Sequence, residues 1–271
     1  MKKTSLLISL FILFITSFVY SQNYKKVFFK DLNKSTDEYD LSIVDQLAND
    51  KELKFKIKIT NKTKDILLIK PSQISIIIND KEYKNSEKDF FIDPFESKSR
   101  VINYVGMGFL STREFSIKVE GIYVLPIFEK TISVNELALP PAQNEFKAGD
   151  FLCTIIQIKK QSDETNIKFK CRYEGSDYGV ISINKPSVLM PDGNKYATAK
   201  TKENNLVLKK GEEENFSVVW KKMPGGSKMD MQKVPMTIFW NETFSISKAK
   251  KISNFEEKSS WDEQLTFEKG R

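Results

Sequence analysis

Two cysteines, Cys153 and Cys171, and no histidine set the range of chemistry open to this chain of 271 residues. Without histidine, the commonest general base and the commonest transition-metal ligand are both missing. A cysteine nucleophile at Cys171 would have no imidazole partner. The pair reads either as a disulfide in an oxidising compartment or as two buried thiols acting as small apolar residues. Gly175-Ser176-Asp177-Tyr178-Gly179 lacks the spacing of a serine nucleophile elbow, and Gly106-Met107-Gly108 has no helix after it to bind a dinucleotide. Met223-Pro224-Gly225-Gly226-Ser227-Lys228 lacks Walker spacing and reads as a flexible loop. Asp93, Glu96, Glu212, Glu213 and Glu214 fall in turn segments, as solvated acids rather than carboxylates paired across a cleft. Asp192-Gly193-Asn194 lacks the spaced acids of a calcium loop. The expectation is a protein without catalytic residues, cofactor or bound metal.

Charge and aromatic patterns remain. Lys54, Lys56 and Lys58 alternate with Phe55, Ile57 and Ile59, and Lys168, Lys170 and Arg172 repeat the pattern. Alternation puts the cations of each strand on one face and the apolar residues on the other. The plain reading is a solvated outer face that also discourages edge pairing. The functional reading is a basic stripe that meets an anionic envelope glycan or an acidic envelope protein. Trp220 and Trp240 sit within expected strands and are assigned to the core; on a shared exposed face they would form a sugar-stacking platform.

The N-terminus reads as an address. Lys2 and Lys3 precede an apolar run from Leu6 to Val19, and Val19 and Ser21 suit the positions before a cleavage site, so residues 1–21 are expected to be a signal peptide. No cysteine stands next to the end of the apolar run, which excludes a lipid anchor there. The net charge of +7 loses only Lys2 and Lys3 on cleavage. No later stretch approaches the length of a membrane span. The product is expected in the periplasm, at the cell surface or in the medium, where nucleic acid is a poor partner despite the positive charge.

These residues need elements to position them, and the chain supplies those elements twice. Leu53–Lys58 aligns with Ile167–Arg172, Lys70-Pro71-Ser72 with Lys185-Pro186-Ser187, and Tyr83 with Tyr196. Phe91-Ile92 and Glu96 align with Val207-Leu208 and Glu212, and Val101–Tyr104 with Ser217–Trp220, in the same order throughout. Each copy opens with a hairpin. Folding about Ser162 sets Ile155 opposite Phe169 and Cys153 opposite Cys171; folding about Asn49 sets Ile43 opposite Phe55. A second hairpin turns at Asn79-Asp80 in one copy and at Asp192-Gly193 in the other. Further short strands follow at turn-separated intervals, and no stretch shows a sustained helical period.

The expected organisation is a first β-sandwich domain over 22–135, a linker over 136–148 around Leu139-Pro140-Pro141-Ala142, and a second domain over 149–250. Residues 251–271 are a charged C-terminal tail that either docks through Trp261 or moves freely. The paired opening hairpins, the Lys-Pro-Ser step, the Asp-Gly turn before Tyr196 and the Gly211-Glu212 turn resemble those of immunoglobulin-like sandwich modules in exported bacterial proteins of unknown function. The resemblance implies an all-β fold of two tandem modules and brings no catalytic residue with it. The expected function is a non-enzymatic protein-interaction or structural module of the cell envelope. The alternative is a carbohydrate-binding module.

Overall fold

A computed structural model of the chain describes residues 24–199, 205–222 and 230–271. The expected signal peptide and the Met223–Lys228 loop lie outside these residues. The fold is all-β. Among the described residues, six antiparallel sheets share one strand plan used twice. In the first half, Tyr39–Ala48 pairs with Glu52–Asn61, which pairs with Ser97–Val105; Val27–Phe28 and Leu32–Ser35 flank the other side of Tyr39–Ala48. Glu145–Ala148, Phe151–Lys160, Glu164–Tyr173 and Glu213–Lys221 repeat this order. Ile74–Ile78 lies between Lys81–Tyr83 and Glu114–Val119, while Ile66–Ile69 lies between Phe90–Ile92 and Ile122–Leu125. Their counterparts are Ser187–Leu189, between Lys195–Ala197 and Met236–Phe239, and Tyr178–Ser182, between Asn205–Leu208 and Phe244–Ser247.

Alternation explains the layers. Leu53, Phe55, Ile57 and Ile59 turn into one core with Tyr104, Ile76 and Ile117. Ile167, Phe169 and Cys171 turn into a second with Phe151, Trp220 and Trp240. Ile66–Ile69 is buried at every position because its second face meets the other half of the chain. There Ile66, Leu68, Leu125, Ile127 and Val180 form a third apolar cluster. Polar contacts border it: Lys209 pairs with Asp89 at 2.7 Å, and Asn205 donates to Asp93 at 2.9 Å. An unbroken apolar run such as Ile66-Leu67-Leu68-Ile69 is what burial on two faces requires.

The turns follow their sequence. Asn79 and Asp80 both take positive φ (48° and 63°), the pair of left-handed residues that a two-residue hairpin turn needs. Gly193 does the same at φ 83°. The second opening hairpin has the expected pairs Ile155/Phe169 and Cys153/Cys171. The first does not: Ile43 lies opposite Ile57, not Phe55. A bulge after Val44 sets two residues, Asp45 (φ 55°) and Gln46, against the single Phe55 before pairing resumes at Leu47/Lys54. Gln46 is buried in the bulge; its amide donates to Lys30 O, and its carbonyl accepts from Ser259 Oγ at 2.9 Å.

The outermost strands were unexpected. Lys130–Thr131 and Leu137–Leu139 follow the first half in sequence, yet pair with Phe244–Ser247 and Met236–Phe239 of the second. Lys250–Lys251 and Phe255–Ser260 follow the second half and pair with Ile122–Leu125 and Glu114–Val119 of the first. The exchange is reciprocal: Lys130 faces Ile246 as Lys250 faces Val124.

The segment expected as a linker therefore supplies strands Leu137–Leu139 and Glu145–Ala148. The segment expected as a tail supplies a strand and the helix Glu263–Lys269, capped by Asp262 accepting from the Leu265 N–H at 2.9 Å. Thr266 Oγ1 accepts from Phe28 N–H, and Gly270 O accepts from Lys25 and Lys26, so the helix closes over the first strand. Seven residues are too few to display a helical period in sequence.

Candidate interaction surface

The cation rows stand on the outer faces of the two long sheets, as alternation dictates. Lys56, Lys58, Lys168, Lys170 and Arg172 are exposed, and Lys54 is half-buried. Three are neutralised by neighbours: Lys54 by Glu52 at 3.0 Å, Lys170 by Glu213 at 2.6 Å and Arg172 by Glu174 at 2.6 Å. Among the described residues, no carboxylate forms an ion pair with Lys56, Lys58 or Lys168. The first row is thus one paired cation and two open ones, and the second is two paired and one open.

Beside the first row lies a shallow hollow of about 440 Å³, lined by Lys34, Ser35, Asp40, Ser42, Lys58 and Thr60. Ser35 Oγ donates to Asp40 at 2.6 Å, and Lys62 stands 3.4 Å away. The Ser35 hydrogen bond, with help from Lys62, holds the Asp40 carboxyl below its usual range. A hollow of hydroxyls, ammoniums and one committed carboxylate offers hydrogen bonds to a polar partner. A second hollow, near Phe146, Lys147, Leu152 and Thr154, borders the cysteine pair of the other half.

Cys153 and Cys171 are joined as a disulfide between directly opposed residues, with Cα atoms 4.1 Å apart. Both are buried. Trp220 and Trp240 lie in the second core, and this burial removes the stacking platform. Trp240 is enclosed by Phe146, stacked at 4.8 Å, and by Phe169 and Phe244 edge-on or tilted. Trp220 directs its indole N–H toward Pro186 O at 3.4 Å. Neither offers an open ring face to a sugar.

Exposed apolar side chains make a different feature of the surface. The exposed large apolar side chains among the described residues are Phe95, Val101, Val105, Met107, Phe128, Leu152, Ile156 and Phe267. Half of them fall within residues 95–107. Phe95 is 69% exposed, Val101 56%, Val105 78% and Met107 83%. Val101 and Val105 project from Ser97–Val105, the outermost strand of its sheet, while Phe95 and Met107 flank its two ends. The signal was present in the sequence as Val101–Met107, but alternation alone does not distinguish a central strand from an outermost one. Val101 is the cross-strand neighbour of Lys56, so the apolar strip lies directly beside the unpaired cations.

No protein-family model matches the chain, and no curated protein sequence matches it. Solved structures resemble it only at the level of all-β architecture. The YjhA protein of Bacillus subtilis is 12% identical, with a TM-score of 0.27 over 36% of this chain and 77% of its own. A functionally unknown protein of Listeria monocytogenes is 12% identical, with a TM-score of 0.30 over 35% of this chain and 72% of its own. A conserved domain protein of Bacillus anthracis is 11% identical, with a TM-score of 0.21 over 75% of each chain.

Proposed function

We propose that this chain is an exported, non-enzymatic binding protein of the bacterial cell envelope. In this reading it consists of two tandem immunoglobulin-like sandwiches behind a signal peptide cleaved before Gln22, and its role is to hold another envelope protein. The observation that carries the reading is the gathering of Phe95, Val101, Val105 and Met107 on one outermost strand and its two ends. Exposed large apolar side chains concentrated along one strand and its ends, with charge beside them, are a usual mark of a protein-binding surface. The Cys153–Cys171 disulfide suits an oxidising compartment. No helix among the described residues is long and apolar enough to cross a membrane.

A photo-crosslinking residue placed at 95 or 107 in the tagged chain should capture one envelope protein reproducibly from cells. Val105→Ser with Met107→Ser should abolish that capture while leaving the thermal midpoint unchanged. Capture that survives both substitutions, or none at all, would refute the reading. A second reading keeps the lysine rows as a site for an anionic glycan, supported by the open charges of Lys56, Lys58 and Lys168. It predicts retention on an immobilised anionic polysaccharide that is lost when those three become Ser.

A further inference from the structure

Ser97–Val105 is nine residues long and, among the described residues, is hydrogen-bonded on one side only, to Glu52–Asn61. Most other sheet-edge strands are short, such as Lys81–Tyr83, Phe90–Ile92 and Lys195–Ala197 at three residues each. Shortness is one common protection against pairing with another chain. The equivalent long strand of the second half, Glu213–Lys221, is covered differently. There Thr198 bridges to Trp220, and Ala199 N–H donates to Val219 O at 2.7 Å. Among the described residues nothing plays that part for Ser97–Val105.

The direction of its backbone groups follows from the ladder. Gly106 N–H donates to Lys51 O at one end, and Asn61 N–H donates to Glu96 O at the other. Hydrogen-bonded and non-hydrogen-bonded pairs alternate in an antiparallel ladder. The bonded pairs between these ends are therefore Leu53/Tyr104, Phe55/Ile102, Ile57/Arg100 and Ile59/Lys98. Ser97, Ser99, Val101, Asn103 and Val105 turn their N–H and C=O groups away from the sheet, toward the open edge.

Side chains decide what can dock there. Lys98 and Arg100 share one face, where Lys98 Nζ donates to Phe91 O at 2.6 Å and the Arg100 guanidinium lies 5.6 Å from the centre of the Phe90 ring. Val101 and Val105 share the other face, with Lys56 behind Val101. No ion pair to a carboxylate occupies Lys98 or Arg100 among the described residues. A second copy of this chain on the edge would set cations against cations, with Lys56 and Lys58 of each copy adding to the repulsion. A strand that alternates carboxylates with apolar side chains satisfies both faces at once.

Resting on the binding role proposed above, the geometry points to strand addition at this edge. An extended, acidic segment of the partner protein pairs antiparallel or parallel with Ser97–Val105, placing carboxylates opposite Lys98 and Arg100 and apolar residues opposite Val101 and Val105. Main-chain hydrogen bonds supply the pairing and the alternating side chains its selectivity.

The test uses a fluorescent peptide of alternating Glu and Val, its Lys-Val counterpart, and the Glu-Val peptide with alternate backbone amides methylated. Anisotropy with the folded chain should show binding of the first alone. Val101→Pro removes an outward N–H at a position where an edge strand tolerates proline, and should weaken binding about tenfold. Lys98→Glu with Arg100→Glu, both surface changes, should abolish Glu-Val binding and decides the matter if the proline variant does not fold. Equal binding of the methylated peptide, or unchanged binding by the variants, would overturn strand addition. So would a dimer in sedimentation that Val101→Pro dissociates, because a second copy would then hold the edge. If crosslinked capture persists in Val101→Pro while peptide binding is unaffected by it, the edge inference falls and the binding role stands. Loss of capture at 95 and 107 with edge-specific peptide binding intact separates the reverse case.

Discussion

At the scale of single residues, burial and not residue type decides role. Trp240 and Lys56 both come from alternating patterns, but Trp240 is wrapped by Phe146, Phe169 and Phe244, while Lys56 stands in solvent. Trp240→Ala should therefore destabilise the chain by about 3–5 kcal/mol, against about 0.5 kcal/mol or less for Lys56→Ala, in urea unfolding of each variant. The tyrosines divide in the same way. Burial pushes the phenols of Tyr39 and Tyr104 up; burial and then the nearby Asp150 and Asp177 carboxylates raise Tyr173 to about 12 from an ordinary 10.0. A raised native pKa stabilises the fold fully below the unfolded value, and that contribution is lost as pH climbs through the native one. Stability should accordingly fall between about pH 10 and 12. Absorbance titration should show these three among the nine tyrosines ionising late, together with unfolding.

At the scale of elements, a few surface carboxylates add ion pairs to the backbone ladders of the returning C-terminal strands. Glu129 accepts from Lys248 N–H at 2.9 Å and pairs with Lys250 at 2.9 Å; Glu120 bridges Lys118 and Lys251, each at 3.3 Å. Lys250 and the Lys248 amide hold the Glu129 carboxyl below its usual range, and Lys118 and Lys251 do the same for Glu120. A depressed native pKa gives stability that is present above the ordinary value of 4.5 and lost as pH falls through the native one. Protection of the Ile252 amide, which donates to Ile122 O, should drop on acidification below that point. Glu120→Gln with Glu129→Gln should flatten the response; an unaltered pH profile would remove these carboxylates from the account. Most individual strands and turns were legible in the sequence because apolar alternation and Asn-Asp or Asp-Gly turns act over a few residues. The bulge at Asp45-Gln46 was not, since Gln46 is drawn inward by Lys30 and Ser259, groups distant in sequence.

At the scale of the whole molecule, the reciprocal exchange of outer strands ties the two halves into each other. Each half borrows two strands, and the apolar cluster around Leu68 and Val180 joins their backs. Calorimetry of the full chain should then give one cooperative transition, with calorimetric and van't Hoff enthalpies equal; two separated transitions would contradict coupling by exchange. Ending the chain after Ala249 should expose the Glu114–Val119 edge and uncover Val27 and Phe29, producing a less stable and aggregation-prone protein. Loss of stability in that truncation, but not in Phe267→Ser at the exposed end of the helix, would assign the effect to strand pairing.

Alternation, turn residues and the repeated order of motifs were enough to determine the all-β class, the hairpins, the outward lysine rows and the Cys153/Cys171 opposition. These are local properties, fixed by which side of a strand each residue faces. Tertiary structure alone decided which strand lies outermost, which half each crossing strand joins, and that Val105 is left bare. The crossings pair residues about a hundred or more positions apart, and at that range a period of two carries no information.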